Sequence, residues 1–136
     1  MPNKLDLDGT YNELIEKLYG IFCKDIKQKD FKYKGVNVEF DRRFVDSRYE
    51  EGFWHLITRN DKGDNRLVDF KRAKRLTWLR PLIEHCDDSE ILQWCSKEHD
   101  KRGNRVEKTY IWYKDGQYLI ILEKKKNAIF CLRHFM

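Results

Sequence analysis

The sequence predicts an α+β fold in which N-terminal helices pack on one face of a C-terminal four-stranded antiparallel sheet. Three observations predict it. The first third carries apolar residues at helical spacing, and the last third alternates apolar and polar residues between turn signals. The length of 136 residues suits a single domain, 1–136, with one core. Hydrophobic residues make up 40% and aromatics 14%, enough to drive packing even with 38% charged residues.

The first element is a helix from about Thr10 to Gln28. Tyr11, Leu14, Ile15, Leu18, Tyr19, Phe22 and Ile26 follow the i, i+3, i+4 rule, and Leu14, Leu18 and Phe22 should face the core. Thr10 and Glu13 form a T-x-x-E capping box that sets its start. Phe31 and Tyr33 alternate with lysines until Lys34-Gly35 breaks the run. Val36, Val38 and Phe40 then alternate as a half-buried strand does. Asp41–Gly52 reads as a charged loop with room for a turn of helix. Phe53–Thr58, aromatic and short, reads as a strand that ends in the turn-rich stretch Arg59–Asn65. Asp69–Cys86 reads as helix in two pieces. Phe70, Ala73 and Leu76 line the first piece, and Thr77 caps the second, leaving Pro81 in its first turn. The rest reads as a meander of Ile91–Glu98, Val106–Lys114, Gln117–Glu123 and Ala128–Phe135. Its turns fall at Lys101–Asn104, at Asp115-Gly116 and at Lys124–Asn127. A sheet covered by helices on one face leaves the other free for a ligand.

The net charge is +5, which favours polyanionic partners through a salt-sensitive field. The polar start has no apolar run or cleavage site of a secretory signal. The longest apolar run, Tyr118–Leu122, is far short of the ~20 residues of a membrane span. A cytoplasmic protein without membrane association is expected. Cys23, Cys86, Cys95 and Cys131 form no C-x-x-C pair and read as four buried thiols. His85-Cys86, Cys95 and His99 match no common zinc spacing. Walker, GxGxxG, HExxH and GxSxG motifs are missing from the sequence, so no metal or cofactor is expected.

His55 sits amid an aromatic run and reads either as a proton shuttle or as a histidine with one structural hydrogen bond. Lys71, Arg72, Lys74, Arg75 and Arg80 surround an apolar stripe. Arg72 and Arg75, spaced i, i+3, could offer paired guanidinium groups to phosphate or form a solvated helix face. In the last strand Arg133 and His134 alternate in facing, so one of them belongs to the sheet face away from the helices, unless the strand end frays. Tyr110, Trp112, Tyr113 and Tyr118 could stack bases where exposed.

Two runs then suggest a family. Gly52-Phe53-Trp54-His55-Leu56-Ile57-Thr58-Arg59 precedes Arg72, Arg75, Leu76 and Trp78-Leu79-Arg80-Pro81-Leu82-Ile83. The Ile91/Trp94 strand and Tyr118–Leu122 follow. The order resembles small phage and mobile-element proteins related to the barnase–EndoU–colicin–RelE class of ribonucleases, over residues 35–135. The resemblance implies a toxin-like or phage accessory endonuclease that cleaves RNA without metal, by attack of the 2′-OH on phosphate. It implies His55 as acid/base and Arg59, Arg72 and Arg75 as phosphate-stabilising groups. Relatives tend to end the last strand with a small hydroxyl residue. Here Cys131-Leu132-Arg133-His134-Phe135 stands instead, so Arg133 or His134 would serve, or the site is inactive. The implied partners are RNA and an inhibitor or immunity protein. The alternatives are a non-catalytic nucleic-acid-binding module and a protein-interaction module.

Overall fold

The computed structural model describes residues 1–28, 30–44, 48–60, 66–125 and 130–135, with residues 60 and 130–135 as backbone only. It is α+β, and its chain divides into two compact units: Met1–Phe31 with Asp41–Pro81, and Lys32–Phe40 with Leu82–Met136.

The first unit is built on helix α1, Tyr11–Asp25. Thr10 caps it: the Glu13 amide donates to Thr10 Oγ1 at 3.2 Å, and that hydroxyl donates to Glu13 Oε1 at 3.1 Å. Leu14, Leu18 and Phe22 are buried as their spacing demands. Phe22 meets Phe53 at a centroid separation of 5.4 Å, and Tyr19 meets Tyr49 and Phe53 edge-on at 5.0 and 5.1 Å. Inside this aromatic cluster Glu50, 2% exposed, accepts from Tyr19 Oη at 2.6 Å and pairs with Lys27 Nζ at 3.0 Å. Burial pushes the Glu50 carboxyl up, but the Tyr19 hydrogen bond and the Lys27 ammonium outweigh it and hold the group below the usual range.

Phe53–Ile57 is not a strand. It belongs to helix α2, Glu51–Ile57. Phe53, Leu56 and Ile57 lie at i, i+3, i+4 and are all buried, so one turn of helix buries three side chains on one side. The Glu51 and Gly52 amides, which lie in the first turn, donate to Arg43 O and Asp41 O at 2.6 and 2.9 Å. Strand β3, Thr58–Asn60, follows and pairs antiparallel with β4, Arg66–Val68. Of the expected turn-rich stretch, Arg59 and Asn60 belong to β3, and residues 61–65 lie outside the description. Helix α3, Phe70–Ala73, is capped by Asp69. A 3-10 turn, Leu76–Trp78, then leads into α4, Leu79–Glu84. Thr77 is therefore inside the turn and not its cap, and its buried Oγ1 makes no hydrogen bond among the described residues. Phe70, expected in the apolar stripe, is exposed.

The second unit is a sheet in the order β1-β2-β8-β7-β6-β5. Its strands are β1 (Lys32–Tyr33), β2 (Val36–Glu39), β5 (Ile91–His99), β6 (Arg105–Tyr113), β7 (Tyr118–Lys124) and β8 (Phe130–Phe135). The expectation of a C-terminal four-stranded antiparallel sheet is corrected. Only β5, β6 and β7 of the C-terminal strands are described with their side chains, and the sheet is six-stranded and mixed, because β2 runs parallel to β8. Lys34 and Gly35, with φ of 49° and 81°, make the two-residue turn that lets β1 and β2 pair as a hairpin. The Asp115-Gly116 turn is longer than two residues. Tyr113 pairs with Tyr118, and Gln117 takes the positive φ of 50°.

Ile111, Tyr118, Ile120 and Leu122 are fully buried on one face of this sheet. The thiols are not uniformly buried. Cys86 is buried, Cys23 is partly covered and Cys95 is exposed, because β5 is an edge strand; the Cys131 side chain lies outside the description. Among the described residues no helix is long and apolar enough to cross a membrane.

Candidate functional site

The sequence points first to the segment around α2. His55 lies on that helix and not mid-strand. Its Nε2 is 3.4 Å from Glu51 Oε2, one turn earlier, and its side chain is partly exposed. A carboxylate beside an imidazole orients the ring, an arrangement that suits proton transfer. Arg59 on β3 is exposed.

Arg72 is engaged by the fold. Its Nη1 donates to Thr58 O at 2.7 Å, and its Nε lies 3.5 Å from Asp69 Oδ2. Arg75 folds back along its own segment, with Nη1 donating to Lys71 O at 2.8 Å and the guanidinium 5.2 Å from the centre of the Trp78 ring. Arg80 is held in the same way, by Asp25 O, Asp30 and the Phe31 ring. A residue that the sequence did not single out, Arg66, joins the group. Its Nε donates to Thr58 Oγ1 at 2.8 Å. Burial, and then the Arg72 charge, push Arg66 down, partly offset by Glu51. Arg66 and Arg72 thus clamp the two oxygens of buried Thr58 at the α2–β3 junction. Arg66 was hidden because it follows a stretch that reads only as a turn.

Arg133 and His134 fall on β8, where the backbone register sets them opposite Ile121 and Ile120. Their side chains lie outside the described residues.

A second region emerges from the sheet. Register puts Leu92, Trp112 and Leu119 in one cross-strand row and Trp94, Tyr110 and Ile121 in the next, on the face opposite Ile111 and Ile120. Leu92 is 56% exposed and Trp94 46%, while the other four are half-buried. The Trp94 and Tyr110 rings are parallel within 4° at 5.3 Å. Tyr110 Oη donates to Glu98, whose second oxygen is 3.6 Å from Lys108 Nζ. That hydrogen bond, and then burial, push the Tyr110 phenol up to about 12, so the ring stays neutral and fixed. Leu92 and Trp94, exposed side by side among half-buried apolar neighbours, make this face a candidate contact surface.

One end of the sheet is cationic. Pairing of β6 with β7 stops at Lys108–Glu123, while β5 and β6 continue to His99–Arg105 as a two-stranded ribbon. Lys97, Lys101, Arg102, Arg105 and Lys124 are exposed there. Among the described residues no ion pair engages Lys97, Lys101, Arg105 or Lys124. The Asp100 carboxylate accepts from the Arg102 and Asn104 amides, and the Asn104 contact first and then that of Arg102 hold it below its usual range. A cavity of about 490 Å³ lies along the ribbon between Lys97–His99 and Arg105–Glu107. Alternation puts Lys97, His99 and Arg105 on the face opposite Trp94, while the tip residues Lys101 and Arg102 lie beyond both faces.

No group of three or more potential metal ligands gathers among the described residues. No family model, no curated protein and no solved structure matches the chain.

Proposed function

We propose that this protein binds single-stranded RNA across the open face of its sheet, without turnover at that face. The observation that carries the reading is Trp94, nearly half exposed and stacked on a Tyr110 ring that Glu98 holds in place. Single strands are held by aromatic surfaces that stack bases together with cations that follow the backbone. Trp94, Tyr110 and Trp112 supply the first, with Leu92 beside them, and the ribbon tip with Lys101 and Arg102 supplies the second. The test is a titration of labelled single-stranded RNA at increasing salt. Binding should weaken steeply as salt rises from about 50 mM to 200 mM and should quench tryptophan fluorescence. Salt-independent association, or a concentration-dependent dimer that ignores RNA, would show that the face is a protein interface.

A metal-independent ribonuclease is the second reading, and the His55–Glu51 pair at 3.4 Å favours it. His55 would exchange the proton of the 2′-OH, and exposed Arg59 would meet the phosphate. Arg72 and Arg75, already held by carbonyl oxygens, would reach a phosphate only by giving up those bonds. RNA left intact in EDTA from about pH 5 to pH 9 excludes this activity, and cleavage that survives His55→Ala excludes the site.

A further inference from the structure

We propose that a cavity in the first unit is a receptor for a quaternary ammonium group, a site separate from the RNA face. The cavity, about 330 Å³, is lined by Tyr11, Asn12, Glu16, Arg48, Tyr49 and Trp54, with Ile15 beside them. The Tyr49 and Trp54 rings stand at 87° to each other with centroids 5.7 Å apart, so they form two perpendicular aromatic walls. Exposed Tyr11 adds a third ring to the lining. Glu16 supplies the counter-charge, and its Oε1 accepts from Tyr49 Oη at 2.8 Å. Aromatic faces joined to a carboxylate recognise cations.

Two observations point to a ligand. The chain already puts a cation of its own against these groups. The Arg48 guanidinium is 5.2 Å from the centre of the Tyr49 ring and pairs with Glu16, while its side chain remains 64% exposed. The lining thus already accommodates a positive charge, and the side chain that supplies it is largely open to water. The second is the indole N–H of Trp54, which is buried and donates to nothing among the described residues. A buried donor without an acceptor is costly, and a ligand oxygen would satisfy it. A primary ammonium needs an acceptor for each of its N–H groups; the ring faces offer none, and Glu16 Oε1 is already shared by Tyr49 and Arg48, which leaves Glu16 Oε2 and the polar tips of Asn12 and Tyr11 for it to compete for. An alkylated ammonium needs no acceptor. With an oxygen two carbons away, as in choline, it can fill the cage and reach Trp54 together.

The test is a titration of the full chain with choline chloride, following the Trp54 indole N–H resonance, which is assigned by its loss in Trp54→Phe. Choline should shift that resonance saturably. The neutral isostere 3,3-dimethyl-1-butanol should bind roughly tenfold more weakly, because it keeps the shape and lacks the charge. Arg48→Ala should tighten choline binding severalfold by removing the resident cation, and Glu16→Gln should weaken it. A trimethyl-lysine peptide distinguishes a protein-borne source from a free one. Tighter binding than choline assigns the site to methylated protein, and weaker binding assigns it to small molecules. The proposal is overturned if the isostere binds as well as choline, or if choline produces no saturable shift in either the native protein or the Arg48→Ala variant. Should Arg48→Ala loosen the fold, Glu16→Gln with unchanged choline affinity overturns it independently.

Discussion

The α2–β3 junction and the open sheet face treat their chemistry in opposite ways. At the junction the chain gathers guanidinium groups, yet Arg66 and Arg72 close on the two oxygens of Thr58, and nearby Arg75 folds onto Lys71 O and Trp78. On the sheet the chain leaves Leu92 and Trp94 in water, engages Glu98 with Tyr110 and Lys108 and Asp100 with backbone amides, and leaves Lys101 and Arg102 exposed. Charge in a sequence is therefore not charge available to a ligand. What counts is the remainder after buried carbonyls and carboxylates have been satisfied.

The largest effect expected from this contrast is on stability. Arg72→Ala removes a charged hydrogen bond to Thr58 O and leaves that oxygen to find another partner, a loss of about 1.5–3 kcal/mol. Thermal or urea unfolding would measure it, and RNA affinity at a temperature where the variant is folded should not change. An Arg72→Ala protein of native stability that no longer binds RNA would invert the comparison and return the junction to the status of a phosphate site. Trp94→Ala should do the opposite. Its side chain is nearly half exposed, so stability should move little, while RNA affinity falls by about 1–3 kcal/mol, the range for one lost stacking contact. Unchanged affinity in the titration removes the sheet face from consideration.

Much of the fold was legible, and the misses have physical causes. Leu14, Leu18 and Phe22 announced α1 because four turns of helix repeat the pattern often enough to outweigh composition. Helix α2 has only seven residues, and Phe-Trp-His-Leu-Ile is a composition that favours strands, so the single i, i+3, i+4 set was overridden. Parity along β5 would have put Leu92 and Trp94 together on the face away from Ile91. Of the four aromatics considered for stacking, Tyr118 is fully buried because the β6–β7 register aligns it with Tyr113 and turns it to the core. The roles of Arg72 and Arg75 were not legible, because no local pattern tells whether a guanidinium will meet a carbonyl from another segment. Parallel pairing of β2 with β8 joins strands about ninety residues apart in sequence, and nothing local encodes it.

Acid should separate the two regions further. Glu50 titrates below its usual range in the folded chain, so it contributes stability that is fully present above the unfolded carboxyl value and is lost as pH falls through the lower, folded value. Unfolding followed from neutral pH downward should therefore show a loss of stability beginning near the ordinary glutamate range, about 4.3. Tyr19→Phe removes the hydrogen bond that helps to lower the carboxyl. It should reduce stability at neutral pH and flatten this acid limb. An unchanged acid limb in Tyr19→Phe would mean that Lys27 alone holds the carboxylate.

The smallest effect concerns the ribbon tip. Lys101 and Arg102 are exposed, and the turn they occupy is set by backbone contacts, with Gly103 at φ 80° and Asp100 Oδ1 accepting two amides. Replacing both with alanine should leave unfolding unchanged. If RNA follows the strand from Trp94 toward the tip, each lost phosphate contact lowers the salt slope by about 0.7 for a single strand. The double variant should therefore bind more weakly at low salt and converge on the native protein as salt rises, while Trp94→Ala stays weaker at every salt concentration. That difference in shape separates an ionic contact from a stacking one. If the double variant keeps the native slope, the backbone leaves the face in another direction. The cations lying on the opposite side of the ribbon, Lys97 and Arg105, would then be the next pair to replace.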